Sequence, residues 1–80
     1  MAWYYFDTRD DDEMIADDIG VEVADLEAVK VLAARGLVEL ARDVLPGKME
    51  RCLGVDVRDK ESAPVLSTEL IFKAVILATH

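Results

Sequence analysis

Eighty residues with a net charge of −8 allow one domain, spanning 1–80. They exclude a chain that grips phosphate backbones, because the nine Lys and Arg are scattered singly and form no basic face. One cysteine excludes an internal disulfide, and one histidine beside it leaves no Cys/His zinc set, so no cofactor is expected and association with another chain becomes the natural supplement to a small core.

The opening MAWYYFDTRD carries no positive n-region and turns acidic within seven residues, so no targeting segment is expected there. Residues 3–8 are aromatic and β-prone. Alternation puts Trp3 and Tyr5 on one face and Tyr4 and Phe6 on the other, so the strand needs cover on both sides or lies at an interface. Arg9 to Glu13 reads as a charged hairpin loop, and Met14–Ala16 as the returning strand. Asp17-Asp18-Ile19-Gly20 is a turn in which Asp bonds its own backbone and Gly20 takes positive φ. Val21-Glu22-Val23 then extends toward a helix.

That helix, Asp25 to Leu45, has the clearest period in the chain. Leu26, Val29, Ala33, Leu37, Leu40 and Val44 recur at steps of three and four, with Arg35, Glu39 and Arg42 opposite. Asp25 is the expected N-cap and Glu27 suits the positive end of the dipole. Pro46 and Gly47 stop the helix, with Pro46 pushing Leu45 out of the helical region. Val31, Val38 and Leu45 form a second apolar row, rotated away from the first.

Residues 51–58 alternate: Leu53, Val55 and Val57 face the core, and Cys52, Gly54, Asp56 and Arg58 face away. Asp59 to Ala63 is a polar turn, and Pro64 to Ser67 the return strand. From Thr68 to His80 the chain is apolar on nearly all sides. Ser67 or Thr68 as a cap, with Glu69 in the first turn, favours a short buried helix over a strand. The apolar run from Leu70 to Ala78 is broken by Lys73 and too short to span a bilayer, so no membrane association is expected. The reduced thiol then points to the cytoplasm.

Residues 3–46 resemble a family of small, uncharacterised alphaproteobacterial proteins grouped as a domain of unknown function. The resemblance rests on an aromatic strand ending in Asp-x-Arg-Asp (Tyr4 to Asp10), an acidic glycine turn with a short Val-Glu strand (Asp17 to Glu22), and Asp25-Leu26-Glu27-Ala28 opening the helix. The chain departs from the family pattern at Asp11-Asp12 and Glu61-Ser62, where members carry glycine, and in its apolar C-terminal stretch. The resemblance implies kinship and supplies no activity. The order of strands and helix is also similar to that of small antitoxin domains of the HicB type, in architecture alone.

Seven carboxylates fall between Asp7 and Asp18. Of these, Asp10, Asp11, Asp12, Asp17 and Asp18 are the candidate ligands for Ca²⁺ or Mg²⁺, which take oxygen donors. EF-hand spacing fails, since Ile15 stands where glycine is needed and Val21 where Glu is needed; solvated charges guarding a hairpin end are the plainer reading. The aromatics could stack on a ligand, yet their strand leads into acids, which favours packing. Asp7, Arg9 and Glu22 read as surface ion pairs. Cys52 has no histidine to activate it, so no enzyme is expected.

These observations specify an α+β domain of β-β-α-β-β order. One long amphipathic helix packs on an antiparallel sheet of about four strands, and a short helix closes the chain. The expected function is that of an acidic, non-enzymatic interaction module acting as a homodimer, with Val31, Val38, Leu45, Phe72 and Val75 at the interface. The alternatives are a metal- or ligand-binding regulator using the acidic loops, and an antitoxin-like protein masking a basic partner.

Overall fold

The computed structural model describes residues 1–78. Chain order is β1 (Ala2–Asp10), β2 (Glu13–Ile15), β3 (Val21–Val23), α1 (Leu26–Val44), β4 (Glu50–Asp59) and β5 (Pro64–Lys73). Every strand pairing is antiparallel, in the order β2-β1-β4-β5, with β3 sharing the β1 edge that β2 also uses. This is an α+β domain in which one helix packs against one face of the sheet. No helix is long and apolar enough to cross a membrane among the described residues.

Helix α1 forms where its period requires. Asp25 is extended and its carboxylate accepts the Ala28 N–H at 2.8 Å, which satisfies a donor the first turn would leave open. Val29, Ala33 and Leu37, about one per turn, are buried against Leu53, Val55 and Val57 of β4. Val23 completes the buried cluster, and Tyr4, Phe6, Leu40, Val44 and Leu66 pack around it. Leu26 stays exposed despite its place on the stripe. In the second helical row Val31 and Val38 are exposed, whereas Leu45 packs on the core.

Four expectations need correction. The chain from Thr68 is a strand through Lys73, and residues 74–78 have no regular structure, so no C-terminal helix exists within the described residues. The residues taken as helix caps bond sideways instead. The Thr68 hydroxyl accepts from Val55 N and donates to Val55 O, and the Ser67 hydroxyl donates to Asp56. The last of the expected helix, with His80, lies outside the described residues.

The return strand is accordingly longer than Pro64 to Ser67. The loop after β1 is tighter than expected: β1 continues to Asp10, and Asp11-Asp12 alone make the turn, with Asp11 at φ 53°. Leu45 also remains helical, at φ −69° and ψ −35°, donating to Ala41 O. The stop comes one residue later, because Pro46 has no N–H to continue the ladder and Gly47 turns to φ 86°.

The core places its strictest demand at Leu53, which is fully buried beneath the helix. Leu53→Ala should cost about 2–5 kcal/mol in denaturant melts. A loss below about 1 kcal/mol would mean that the helix does not seal this face.

Candidate functional site

Strand β1 carries two short partners on one edge. β2 pairs with Thr8–Asp10 and β3 with Ala2–Tyr4, which leaves Tyr5 to Asp7 without a strand neighbour on that side. Backbone donors there need acceptors. Asp17 supplies one: its Oδ2 accepts the Phe6 N–H at 3.0 Å, while its Oδ1 accepts from Ile19 N and Gly20 N to form the turn. The Asp17 N–H donates back to Asp7 at 2.8 Å. Gly20, at φ 77°, lies so close to Trp3 and Tyr5 that a Cβ would strike their rings. The turn thus presses on the aromatic pair that the helix does not cover.

On the face of the sheet away from the helix, Asp7 stands directly opposite Asp56. Two carboxylates so placed repel, and arginines on the diagonals neutralise them. Arg58 Nε donates to Asp7 at 3.0 Å and its Nη2 to Asp17 O at 2.8 Å, with the guanidinium 4.4 Å above the Tyr5 ring. Arg9 holds both oxygens of Asp56, at 2.7 and 3.2 Å, and also donates to Thr68 O. Arg9 lies flat over Gly54, where any side chain would collide with it and come within 2.8 Å of Thr68 O. Asp7 is only 8% exposed, so its pairing matters.

The Arg9 hydrogen bond draws the Asp56 carboxyl below its ordinary range, against the opposing effect of burial. At Asp17 burial pushes upward, and the N–H groups of Phe6, Ile19 and Gly20 outweigh it, so the net shift is downward.

The acidic candidates do not converge. Asp11 accepts from Arg51 at 2.6 Å and from Cys52 N, and both hold its carboxyl low. Asp10 sits 3.5 Å from Arg51 as an ion pair too long for a hydrogen bond. Asp17 is engaged as described, and Asp12 and Asp18 are exposed. Among the described residues, no three His, Cys, Asp or Glu side chains are placed to hold a metal.

Arg9 pairs with Asp56 and Asp7 with Arg58, whereas Glu22 stands opposite Trp3 on β3. Cys52 donates to Glu69 at 3.3 Å, and that bond together with burial pushes the thiol up, away from the thiolate a nucleophile needs. Of the interface candidates, Val31, Val38 and Val75 are exposed and Phe72 and Leu45 half-buried. A shallow cleft of about 780 Å³ runs past Trp3, Tyr5, Ile19 and Lys60. A second, of about 650 Å³, lies over the Asp7, Arg9, Asp56 and Arg58 ladder, whose polar atoms already bond one another.

Sequence reading missed Arg58 and Arg51 as partners of the N-terminal acids, and Asp56 and Gly54 as the seat of Arg9. Their shared outward parity was visible at Gly54, Asp56 and Arg58, but the register joining them to β1 was not.

The fold and this ladder define a small antiparallel α+β domain whose buried and half-buried charges serve its own architecture. The chain belongs to the family of the domain of unknown function DUF6894, whose model matches residues 3–71. That family assigns no reaction. No curated protein and no solved structure matches the chain.

Two measurements check the site. Asp11, Asp17 and Asp56 all titrate below the ordinary carboxylate value of about 3.9. The folded chain therefore binds fewer protons than the unfolded one at acid pH. The stability they give is complete above about pH 5 and is lost as pH falls through the folded values. Asp17→Asn turns an amide toward Phe6 N–H, so it should cost about 1–3 kcal/mol at neutral pH and flatten the acid limb of a pH–stability curve. An unchanged curve would remove Asp17 from the edge it is said to close. Separately, millimolar Ca²⁺ or Mg²⁺ should leave the melting temperature unchanged, because the best-placed carboxylates already hold arginine or amide donors. A rise that Asp11→Asn with Asp12→Asn abolishes would restore the metal reading.

Proposed function

We propose that the protein is a small, acidic, non-enzymatic interaction module that works as a homodimer. The observation that carries this reading is the β5 side of the molecule. Strand β5 ends the sheet with no partner beyond it among the described residues, and it leads into an exposed apolar stretch. Ile71 is 71% exposed, Ile76 74% and Leu77 93%. Exposed apolar surface beside an open strand edge favours association. A non-enzymatic role is supported by the chemistry above: the ladder's charges neutralise one another and the thiol is held protonated. With a net charge of −8, a basic protein is the class of further partner that such a dimer would hold.

Sedimentation velocity between micromolar and hundred-micromolar protein tests the reading. The expected species has twice the 8.9 kDa chain mass. A single monomeric boundary throughout would overturn the homodimer.

A further inference from the structure

Resting on the homodimer reading, we propose the surface and register by which it forms: β5 pairs antiparallel with β5 of a second copy about a two-fold axis through Ile71, joining two sheets into one. The backbone sets the first condition. Ala74 N–H donates to Met49 O, so even-numbered residues of this strand turn their backbone groups toward β4. Alternation then turns those of Ser67, Glu69, Ile71 and Lys73 toward the open edge. Opposed residues of an antiparallel pair are of one kind, both bonded or both not. Odd residues must therefore meet odd residues, which removes half of all registers.

Charge selects among the rest. With Ile71 opposite its own copy, Glu69 falls opposite Lys73 of the second chain, and by symmetry Lys73 falls opposite Glu69. Centring on Leu70 instead sets Glu69 against Ile71 and Lys73 against Ser67. Centring on Phe72 sets Glu69 against Val75 and Lys73 against Ile71. Centring on Glu69 or on Lys73 opposes like charges, which is repulsive. Only the Ile71 register neutralises both. Lys73 makes no ion pair within its own chain among the described residues, and Glu69 holds only the Cys52 thiol.

The same register accounts for the apolar residues. Leu70 meets Phe72 of the second copy on the helix side of the sheet, at the closer, non-bonded kind of pair. Beyond Lys73 the chain has almost outrun β4, since Glu50 is the last strand residue opposite it. In the dimer, Val75, Ile76 and Leu77 extend along Ser67, Leu66 and Val65 of the second copy. The stretch with no regular structure and the greatest exposure thus acquires a strand neighbour and apolar contacts. Strands that resist such pairing carry charges or proline along the edge. Here Pro64 guards only one end, and Glu69 is the single charge between Val65 and Phe72.

Charge reversal with the full chain tests the register. Glu69→Lys and Lys73→Glu should each weaken the dimer about tenfold or more, since each sets like charges opposite one another twice. The double variant should restore the wild-type dissociation constant. Ile71→Pro removes an N–H that β4 does not use, so the monomer should keep its circular dichroism spectrum and lose the dimer. Recovery in the double variant, with dissociation by Ile71→Pro, supports the proposal. A dimer that ignores these changes but dissociates with Val38→Glu overturns it and moves the interface to the helix row, leaving the homodimer reading intact. A dimer insensitive to all four changes overturns the register as well. A monomeric wild type overturns both.

Discussion

Strand β1 has one edge to share between two partners, and the structure depends on how the gap between them is closed. β2 and β3 take its ends, and Phe6 in the middle would have a bare amide at the margin of the core. Asp17 fills that place with a side chain instead of a strand. Because the same carboxylate also folds the turn through Gly20, one residue sets both the hydrogen-bond accounting of β1 and the path of the chain toward β3 and the helix. Arg58 then ties Asp7 and the Asp17 carbonyl to β4, so strand edge, turn and central strand are held at one point.

This arrangement explains how a sheet with a helix on only one face suits so acidic a chain. The helix-side face is filled by Val29, Ala33, Leu37, Leu53, Val55 and Val57. Among the described residues the other face has no second layer to bury it, and antiparallel sheets tolerate that when the exposed side is polar. On it the opposed carboxylates Asp7 and Asp56 each meet an arginine on the diagonal. The aromatic pair at its end lies under a guanidinium and a glycine turn. The Asp-x-Arg-Asp strand ending supplies this ladder with Asp7 for Arg58 and Arg9 for Asp56, while Asp10 lies on the helix side near Arg51. These residues record how the sheet is assembled.

What could be read in advance was local. The helix announced itself through its period and its Asp25 cap, β4 through strict alternation, and the Asp17–Gly20 turn through residues that bond their own backbone. The last strand was hidden because a continuous apolar run suits helix and strand alike. Ser67, Thr68 and Glu69 also mimic a helix start when their cross-strand partners are unknown. The hydroxyl that seemed to cap a helix in fact bonds Val55, thirteen residues back. The acids of the first loop were plain to see as residues, yet Arg51 and Arg58, which decide their state, lie 40 or more positions away. Composition suggests a cluster of free carboxylates, and only register shows that several of them are already occupied.

The span between β1 and β4 has a consequence for how the chain reaches this state. Arg9 and Asp56 are 47 positions apart, and Asp7 and Arg58 are 51. During synthesis β1 can meet β2 and β3 early, through short and inexpensive loop closures, but its main neighbour is made only after the whole helix has emerged. The helix and the β4–β5 hairpin are each local and assemble quickly, so docking of the aromatic strand onto β4 is the slow, long-range event. Until that moment Tyr4 and Phe6 have no core to enter. The stretch of chain most in need of shelter is therefore made well before the strand that shelters it.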